Sequence, residues 1–157
     1  MAAYTLRTLG LVLRHAMSAP IVQITRREEF SAAHRLHDPH LSPEENLRLY
    51  GPCNTDHGHN YAFEVTVRGP VPRSGMVMDL NALMSILREE IVSVVDHKHL
   101  NRDVPFLLGL IPTAENMAVA FWNRIAPRLA PFEGARLVSL RVCESRDNVV
   151  EYRGELG

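Results

Sequence analysis

The stretch that decides the fold of this chain reads CNTDHGHNY from Cys53 to Tyr61 and continues as AFEVTV to Val67. Side chains two residues apart in a β-strand point to the same face of a sheet. His57 and His59 are therefore expected to share a face with the apolar side chains that follow at every second position. Two imidazoles side by side are suited to one metal ion, and Cys53 lies just upstream in a predicted loop. The stretch predicts a zinc site with a reactive thiol beside it.

A third histidine is expected to join this pair from another strand. The alternation in the predicted first strand, residues 21–36, puts His34 on the same face as Phe30. Three imidazoles with one open coordination position are typical of catalytic zinc rather than closed structural zinc. A zinc-finger interpretation would need Cys53 and a second thiol as ligands, and Cys143 stands alone in its strand. The remaining alternative is that the histidines are polar residues at a strand entrance, without a metal.

Periodicity along the chain predicts an α+β domain. The expected elements, in order, are strands at 21–36 and 57–68, helices that begin after Asp79 and at Thr113, and strands at 137–142 and 149–153. At 42–49 a helical turn is expected. The charged run at 26–29 interrupts the first alternation and indicates an edge or a bulge. A short turn at 146–148 predicts that the last two strands form an antiparallel hairpin, which gives the order β-β-α-α-β-β.

The length of 157 residues and the composition are those of one globular domain, expected at 21–157, behind a flexible extension at 1–20. The net charge of -1 provides no general attraction to nucleic acid or anionic membranes, and no apolar run is long enough to span a membrane. Two cysteines without a secretory signal are expected to be reduced thiols in the cytoplasm. The extension is basic, with no acidic residue before Glu28, so mitochondrial targeting is an alternative.

Three further candidates each have an ordinary structural alternative. Glu144 follows the parity of the apolar side chains of its strand, where an unpaired carboxylate is costly. It is suited to anchoring a ligand with adjacent N–H donors, or to pairing with an arginine such as Arg141 or Arg153. Cys53 is an inert thiol unless a nearby metal and imidazole lower its pKa and make it a base or nucleophile. Asp96 and His97, at the end of the first predicted helix, are either a solvated cap or catalytic groups.

Ordered motifs along the chain resemble the 6-pyruvoyltetrahydropterin synthase family. The stretches are FSAAHRL (30–36), EENL (44–47), CNTDHGHNY (53–61), GMVMDL (75–80), DHKHL (96–100), TAEN (113–116) and Glu144. They extend from about residue 22 to the end of the chain. The resemblance implies a tunnelling fold (T-fold), with a four-stranded antiparallel sheet and two helices on one face. It also implies that three subunits close a barrel and that two trimers stack into a homo-hexamer.

The resemblance implies three groups of site residues near a subunit interface. The implied zinc ligands are His34, His57 and His59. The implied catalytic residues are the thiol of Cys53 and the groups that activate it, Asp96 and His97. The implied pterin-binding residues are Glu144, Thr113 and Glu115. Zinc is the expected cofactor, with Mg²⁺ as an additional ion on the triphosphate.

The reaction that the resemblance implies converts 7,8-dihydroneopterin triphosphate into 6-pyruvoyl-tetrahydropterin, a step of tetrahydrobiopterin biosynthesis. Zinc would hold the side-chain hydroxyls and acidify neighbouring protons as a Lewis acid. The Cys53 thiolate would move a side-chain proton, relayed through His97 and Asp96. Triphosphate would leave by elimination, and tautomerisation would complete the product without a redox cofactor.

Two departures from the animal-type pattern leave the product open. Three residues separate Cys53 from His57, two fewer than in the animal-type enzymes. This short spacing resembles the bacterial 6-carboxy-5,6,7,8-tetrahydropterin synthase of queuosine biosynthesis, which takes the same substrate and releases acetaldehyde. Ala114 also stands where the animal pattern usually has a threonine. A non-catalytic pterin- or metal-binding oligomer is the alternative of another class.

Overall fold

The computed structural model of the chain describes residues 19–155. Residues 1–18, which make up most of the expected N-terminal extension, lie outside the described range. The extension and its targeting alternative therefore stay predictions. Within residues 19–155, no helix combines the length and the apolar character needed to cross a membrane.

A five-stranded mixed sheet organises the chain. Its strands are β1 (Ile21–His34), β2 (His57–Pro70), β3 (Lys98–His99), β4 (Arg136–Cys143) and β5 (Val149–Tyr152), in the spatial order β3-β1-β2-β4-β5. β1, β2, β4 and β5 are successively antiparallel, and the expected hairpin of the last two strands is confirmed. The prediction of a four-stranded antiparallel sheet is wrong in one respect, since β3 adds parallel to β1 at the edge. A strand of two residues contains no alternation for a sequence pattern to reveal.

Helical segments connect the strands. They are α1 (Pro43–Tyr50), α2 (Leu80–Leu87), α3 (Ser93–Val95) and α4 (Ala114–Ile125), with a π-helical turn at Arg88–Val92 that joins α2 to α3. α1 is a full helix rather than the expected turn, because Ser42 and Glu45 form a reciprocal capping box. Asp79 caps α2 and Thr113 caps α4, each by accepting a backbone N–H, so both helices begin where the sequence predicts. The expected order β-β-α-α-β-β therefore lacks α1 and β3.

The core lies on one face of the sheet. Phe30 of β1 stacks on Tyr61 of β2 with ring centroids 4.9 Å apart. Phe121 of α4 meets Phe30 and Phe63 edge-on, at centroid distances of 6.0 and 5.7 Å. Leu83 of α2 is buried in the same cluster. The helices that follow β2 thus cover the face that the alternation in β2 predicts to be buried.

The charged run in β1 produces no bulge. β1 pairs with β2 without interruption, and the register shift in the sheet lies between Thr66 and Val67 of β2, opposite β4. Glu28 points inward and is 8% exposed. Arg26 donates to one oxygen of this carboxylate at 2.8 Å, and Arg88 donates to the other at 3.2 Å. Because it is paired on both sides, the carboxylate is accommodated in the core-facing row of β1.

Gly154, just after β5, is expected to be required for stability. Its φ of +78° is in the left-handed region, and an added Cβ would overlap the indole ring of Trp122. Gly154→Ala is expected to lower the free energy of unfolding by about 2–4 kcal/mol, measured by urea unfolding at constant protein concentration. Gly75→Ala is the matched control, because Gly75 has φ +82° and open space where the Cβ would be added. Equal losses in the two variants would contradict the role of the Trp122 contact.

Candidate active site

Neighbouring strands bring the three predicted ligands together. In the β1–β2 register His34 is opposite His57, and Ala32 is opposite His59. All three imidazoles lie on the core-facing side of the sheet, with ring centroids 4.5, 5.0 and 5.2 Å apart. One ligand atom from each ring lies within 4.8 Å of the other two. These side chains, called here the histidine centre, form a group that could hold a metal ion.

Hydrogen bonds to carbonyl groups set the tautomer of two of these histidines. Nδ1 of His34 lies 2.9 Å from the carbonyl oxygen of Pro112, and Nδ1 of His57 lies 2.8 Å from that of Thr55. Because a carbonyl oxygen only accepts, each Nδ1 carries the donated hydrogen, and the neutral ring keeps a lone pair on Nε2. Burial lowers the pKa of His34, which favours its neutral form. Both rings are therefore prepared to bind a metal through Nε2.

The three Nε2 atoms are placed to coordinate a metal ion rather than to form hydrogen bonds with one another. Nε2 of His34 and Nε2 of His57 are 3.0 Å apart, and in these tautomers neither has a hydrogen to donate. Nε2 of His59 is buried and has no hydrogen-bond partner among residues 19–155. Imidazole ligands suit zinc and related transition metals, and Nδ1–H groups bonded to carbonyls are typical outer contacts of metal-bound histidines. The donor set fits a metal ion of this kind.

Glu144 lies at the edge of the histidine centre. Its Oε1 is 3.7 Å from Nε2 of His34 and 3.8 Å from Nε2 of His59, too far for a hydrogen bond but close enough to share a bound ligand. The carboxylate is 23% exposed, and the Glu144 N–H donates across the β4–β5 turn at 3.1 Å. The two alternative partners expected from sequence pair elsewhere: Arg141 donates to Glu64 at 2.6 Å, and Arg153 donates to Glu151 at 3.3 Å. The Glu144 carboxylate is therefore available to a ligand.

Cys53 lies near the histidine centre, in the loop between α1 and β2. It belongs to a 3₁₀ turn, Gly51–Asn54, and its thiol is free and half-buried. The hydroxyl of Tyr61, 3.3 Å from the His34 ring, has a raised pKa, mainly because of burial. Negative charge on Glu144 and on Cys53 adds to this rise, so both groups lie within electrostatic range of Tyr61. The thiol and the carboxylate thus belong to the same polar region as the histidines.

Asp96 and His97 lie beside Ser31 of β1, where His97 and His59 both line a groove. Oδ1 of Asp96 accepts from the Ser31 N–H at 2.9 Å, and Oδ2 is 2.9 Å from Nδ1 of His97. The Ser31 hydrogen bond is the main cause of a lowered pKa of Asp96, and His97 contributes to it. His97 is 82% exposed and lines the groove with the outward-facing side chains of Ser31 and Asn60. Within one chain the structure does not bring this pair to Cys53.

The start of α4 reaches the histidine centre through Pro112. The carbonyl of Pro112 accepts from His34, and the next residue, Thr113, caps α4 by accepting from the Asn116 N–H at 3.3 Å. Thr113 is half-buried, whereas Glu115 is exposed in the first turn of α4. Their implied contacts with a pterin stay predictions.

The sequence patterns missed a second polar pair beside the centre. His99 of β3 is buried, and its Nε2 lies 3.3 Å from Oδ1 of Asp56, the residue before His57. Neither ring nitrogen of His99 has an aligned hydrogen-bond partner in the part of the chain that the structure describes. The DHKHL motif contains His99, but its burial follows from the pairing of β3 with Ala33 of β1. No periodic pattern connects Asp56 with His99, so sequence alone offered no signal for this pair.

The fold and the site together define an α+β protein with a mixed sheet and a three-histidine centre for a metal ion, beside a carboxylate and a thiol. A model of the protein family described as 6-pyruvoyl tetrahydropterin synthase matches residues 23–155. The chain belongs to this family.

Known relatives cover nearly all of the domain. A protein of Dictyostelium discoideum named 6-pyruvoyl tetrahydrobiopterin synthase is 42% identical over 140 residues, which cover 88% of this chain and 100% of the relative. The solved structure of Caenorhabditis elegans 6-pyruvoyl tetrahydropterin synthase aligns with a TM-score of 0.81 at 35% identity, covering 88% of this chain and 99% of that one. A protein of Rickettsia typhi named 6-carboxy-5,6,7,8-tetrahydropterin synthase is 26% identical over 147 residues, which cover 83% of this chain and 99% of the relative.

Proposed function

We propose that this chain is a zinc-dependent carbon–oxygen lyase that converts 7,8-dihydroneopterin triphosphate into 6-pyruvoyl-tetrahydropterin, with release of triphosphate, in tetrahydrobiopterin biosynthesis. The observation that carries the proposal is the convergence of the histidine centre, Glu144 and Cys53 in a chain of this family. The greater similarity to the Dictyostelium 6-pyruvoyl relative than to the Rickettsia 6-carboxy relative supports this product.

The carboxylate of Glu144 is the proposed anchor for the pterin ring. A carboxylate accepts two parallel hydrogen bonds from adjacent N–H donors, which a pterin provides through its amino group and ring N–H. A ring held by Glu144 would place its side chain beside His34 and His59, since Oε1 is 3.7 and 3.8 Å from their Nε2 atoms. Thr113 and Glu115, at the start of α4, are the proposed further contacts. When bound, zinc would polarise the hydroxyls of the substrate side chain as a Lewis acid.

The thiol of Cys53 is the proposed base that moves a side-chain proton. Asp96 and His97 would complete the proton path from a neighbouring subunit, because within residues 19–155 their hydrogen bonds join them to Ser31 and to each other and not to Cys53. This arrangement requires an oligomer, and a homo-hexamer of two stacked trimers is the proposed assembly. Mg²⁺ would accompany the triphosphate. With Cys53 and Cys143 both free, the proposed compartment is the cytoplasm.

A 6-carboxy-5,6,7,8-tetrahydropterin synthase is the second candidate, favoured by the short connection between Cys53 and His57. Two hydrogen bonds hold this connection in place. The Thr55 carbonyl accepts from His57 at 2.8 Å, and the Asn54 carbonyl accepts from Arg35 at 2.7 Å. A connection anchored in this way restricts where the thiol can reach. The same substrate would then yield a carboxylated pterin and acetaldehyde.

Turnover of 7,8-dihydroneopterin triphosphate by the zinc-loaded protein tests the proposal. We expect equimolar triphosphate and 6-pyruvoyl-tetrahydropterin, separated by anaerobic liquid chromatography, and no acetaldehyde. Acetaldehyde together with a carboxylated pterin would replace the proposal with the second candidate. Bound zinc without any turnover would instead support a non-catalytic role, as a pterin- or metal-binding oligomer.

A further inference from the structure

A cavity of about 400 Å³ opens beside the histidine centre. Its polar wall consists of four basic side chains and one carboxylate: Arg35, His37, His99, Arg102 and Asp56. Small-molecule pockets in proteins start at about 300 Å³, so the cavity is large enough for part of a ligand. The two guanidinium groups outweigh the one carboxylate, and the cavity therefore favours an anion.

Arg35 is held in place by hydrogen bonds that leave some of its guanidinium N–H donors unused. Its Nε donates to the carbonyl of Asn54 at 2.7 Å, and its Nη2 lies 3.3 Å from Oδ1 of the same residue. The side chain of Asn101 fixes the Arg35 backbone from the other side, accepting from its N–H at 2.9 Å and donating to its carbonyl at 2.8 Å. A guanidinium group carries five N–H donors, and Nη1 of Arg35 makes no hydrogen bond within residues 19–155. The group is thus preorganised to donate to an anion.

Arg102 and His99 add side-chain donors that make no aligned hydrogen bond within residues 19–155. The exposed Arg102 side chain forms no ion pair with the carboxylates of the described residues. The His99 side chain is 9% exposed, and both of its ring nitrogens lack an aligned hydrogen-bond partner among those residues, although Asp56 lies 3.3 Å away. Leaving a buried imidazole unpaired is unfavourable, and an acceptor bound in the cavity would relieve that cost.

The cavity continues the line of the proposed substrate. Glu144 lies beside His59, while the cavity begins at Asp56, on the other side of His57 along β2. Its opposite wall includes Ile111, which precedes the Pro112 carbonyl that orients His34. Along β2, a ligand anchored at Glu144 would therefore pass His59 and His57 before it reaches the cavity at Asp56. The pterin ring, the hydroxylated side chain and the triphosphate follow one another in the same order in the substrate.

We propose that this cavity is a phosphate-binding subsite that holds the triphosphate tail of the pterin substrate. Arg35 and Arg102 contact the phosphate oxygens, and His99 donates to one of them from its buried ring. The identity of the tail rests on the proposed function, whereas binding of phosphate groups can be measured without turnover.

Isothermal titration calorimetry of the zinc-loaded protein with inorganic tripolyphosphate tests the subsite. We expect one tripolyphosphate to bind per chain, with affinity about ten-fold lower in Arg102→Gln and about three-fold lower in His99→Asn. Lys98→Gln is the matched control, because Lys98 is an exposed cation that lines the neighbouring groove, which shares His99 and Arg102 with the cavity, but does not line the cavity itself. Its affinity is expected to equal that of the wild type. The phosphate-free compound 7,8-dihydroneopterin is expected to bind the wild type and Arg102→Gln equally.

The results separate the subsite from the proposed function. Absence of tripolyphosphate binding, wild-type affinity in both Arg102→Gln and His99→Asn, or a loss in Lys98→Gln alone would overturn the subsite. Tripolyphosphate binding with the expected losses, but no turnover of 7,8-dihydroneopterin triphosphate, would reject the proposed function and keep the subsite. Turnover with a KM that is the same in the wild type and in Arg102→Gln would reject the subsite and keep the function.

Discussion

His57→Ala is expected to contain no bound zinc. Its turnover of 7,8-dihydroneopterin triphosphate is expected to be at least about a thousand-fold slower than that of the wild type. His57 supplies one of the three Nε2 atoms of the histidine centre, and two imidazoles alone make a much weaker site. Because His57 is half-buried at the first position of β2, its loss leaves the aromatic core intact. Zinc per chain, measured by mass spectrometry after dialysis, and the product assay check this expectation.

His40→Ala is the matched control for that experiment. His40 is exposed in the loop before α1, and its backbone N–H donates to the side chain of Asp38. This variant is expected to keep both its zinc and its turnover. One zinc per chain together with wild-type turnover in His57→Ala would remove the histidine centre from the proposed mechanism.

Turnover in Cys53→Ala is expected to fall by about 10²–10⁴-fold while the zinc content stays at the wild-type level. The thiol is the proposed base, whereas the metal is assigned to three imidazoles that this substitution does not touch. Stopped-flow or chromatographic assays of triphosphate release, combined with zinc analysis, separate the two roles. Undiminished turnover would exclude the thiol as the base, and loss of zinc would make Cys53 a ligand instead.

The second cysteine provides the control for Cys53. Cys143 is also free and half-buried, but it ends β4, where it is paired with Ala62 of β2 and Val149 of β5. Cys143→Ala removes a thiol of similar exposure from the same protein and is expected to keep full turnover. A similar loss in both variants would point to a structural effect of the missing sulfur rather than to proton transfer.

The histidine centre could be predicted because strand parity is a strong local constraint. His34 has the same parity as Phe30 in β1, and His59 has the same parity as Tyr61 in β2, so both histidines share the face of these buried aromatic residues. A shift of one residue in either strand would put them on opposite faces. Glu144 was recognised by the same parity at the end of β4, although its distance from the histidines depends on the pairing of β4 with β2. The helix starts are also local signals: a capping side chain at Asp79, and at Thr113 a position after Pro112 that an apolar stripe follows.

The features that sequence could not reveal depend on contacts between distant segments. β3 consists of two residues, and its parallel pairing with β1 brings His99 to Asp56 across more than forty positions of the chain. Whether Asp96 and His97 act on Cys53 depends on subunit contacts, since no hydrogen bond joins them to Cys53 within residues 19–155. The product likewise depends on the reach of the thiol, which residue types alone do not determine.

The pairing of His34 directly opposite His57 has a consequence for folding. The two strands could also align one position out of step, but every side chain of the displaced strand would then turn to the other face. His34 would leave the core side, and the three nitrogens would no longer converge. Only the native alignment of the two strands therefore binds the metal ion tightly. By mass action, a bound ion would increase the fraction of chains in that alignment. A metal ion in the histidine centre would thus stabilise the native register of β1 and β2 over the shifted register, before any substrate is present.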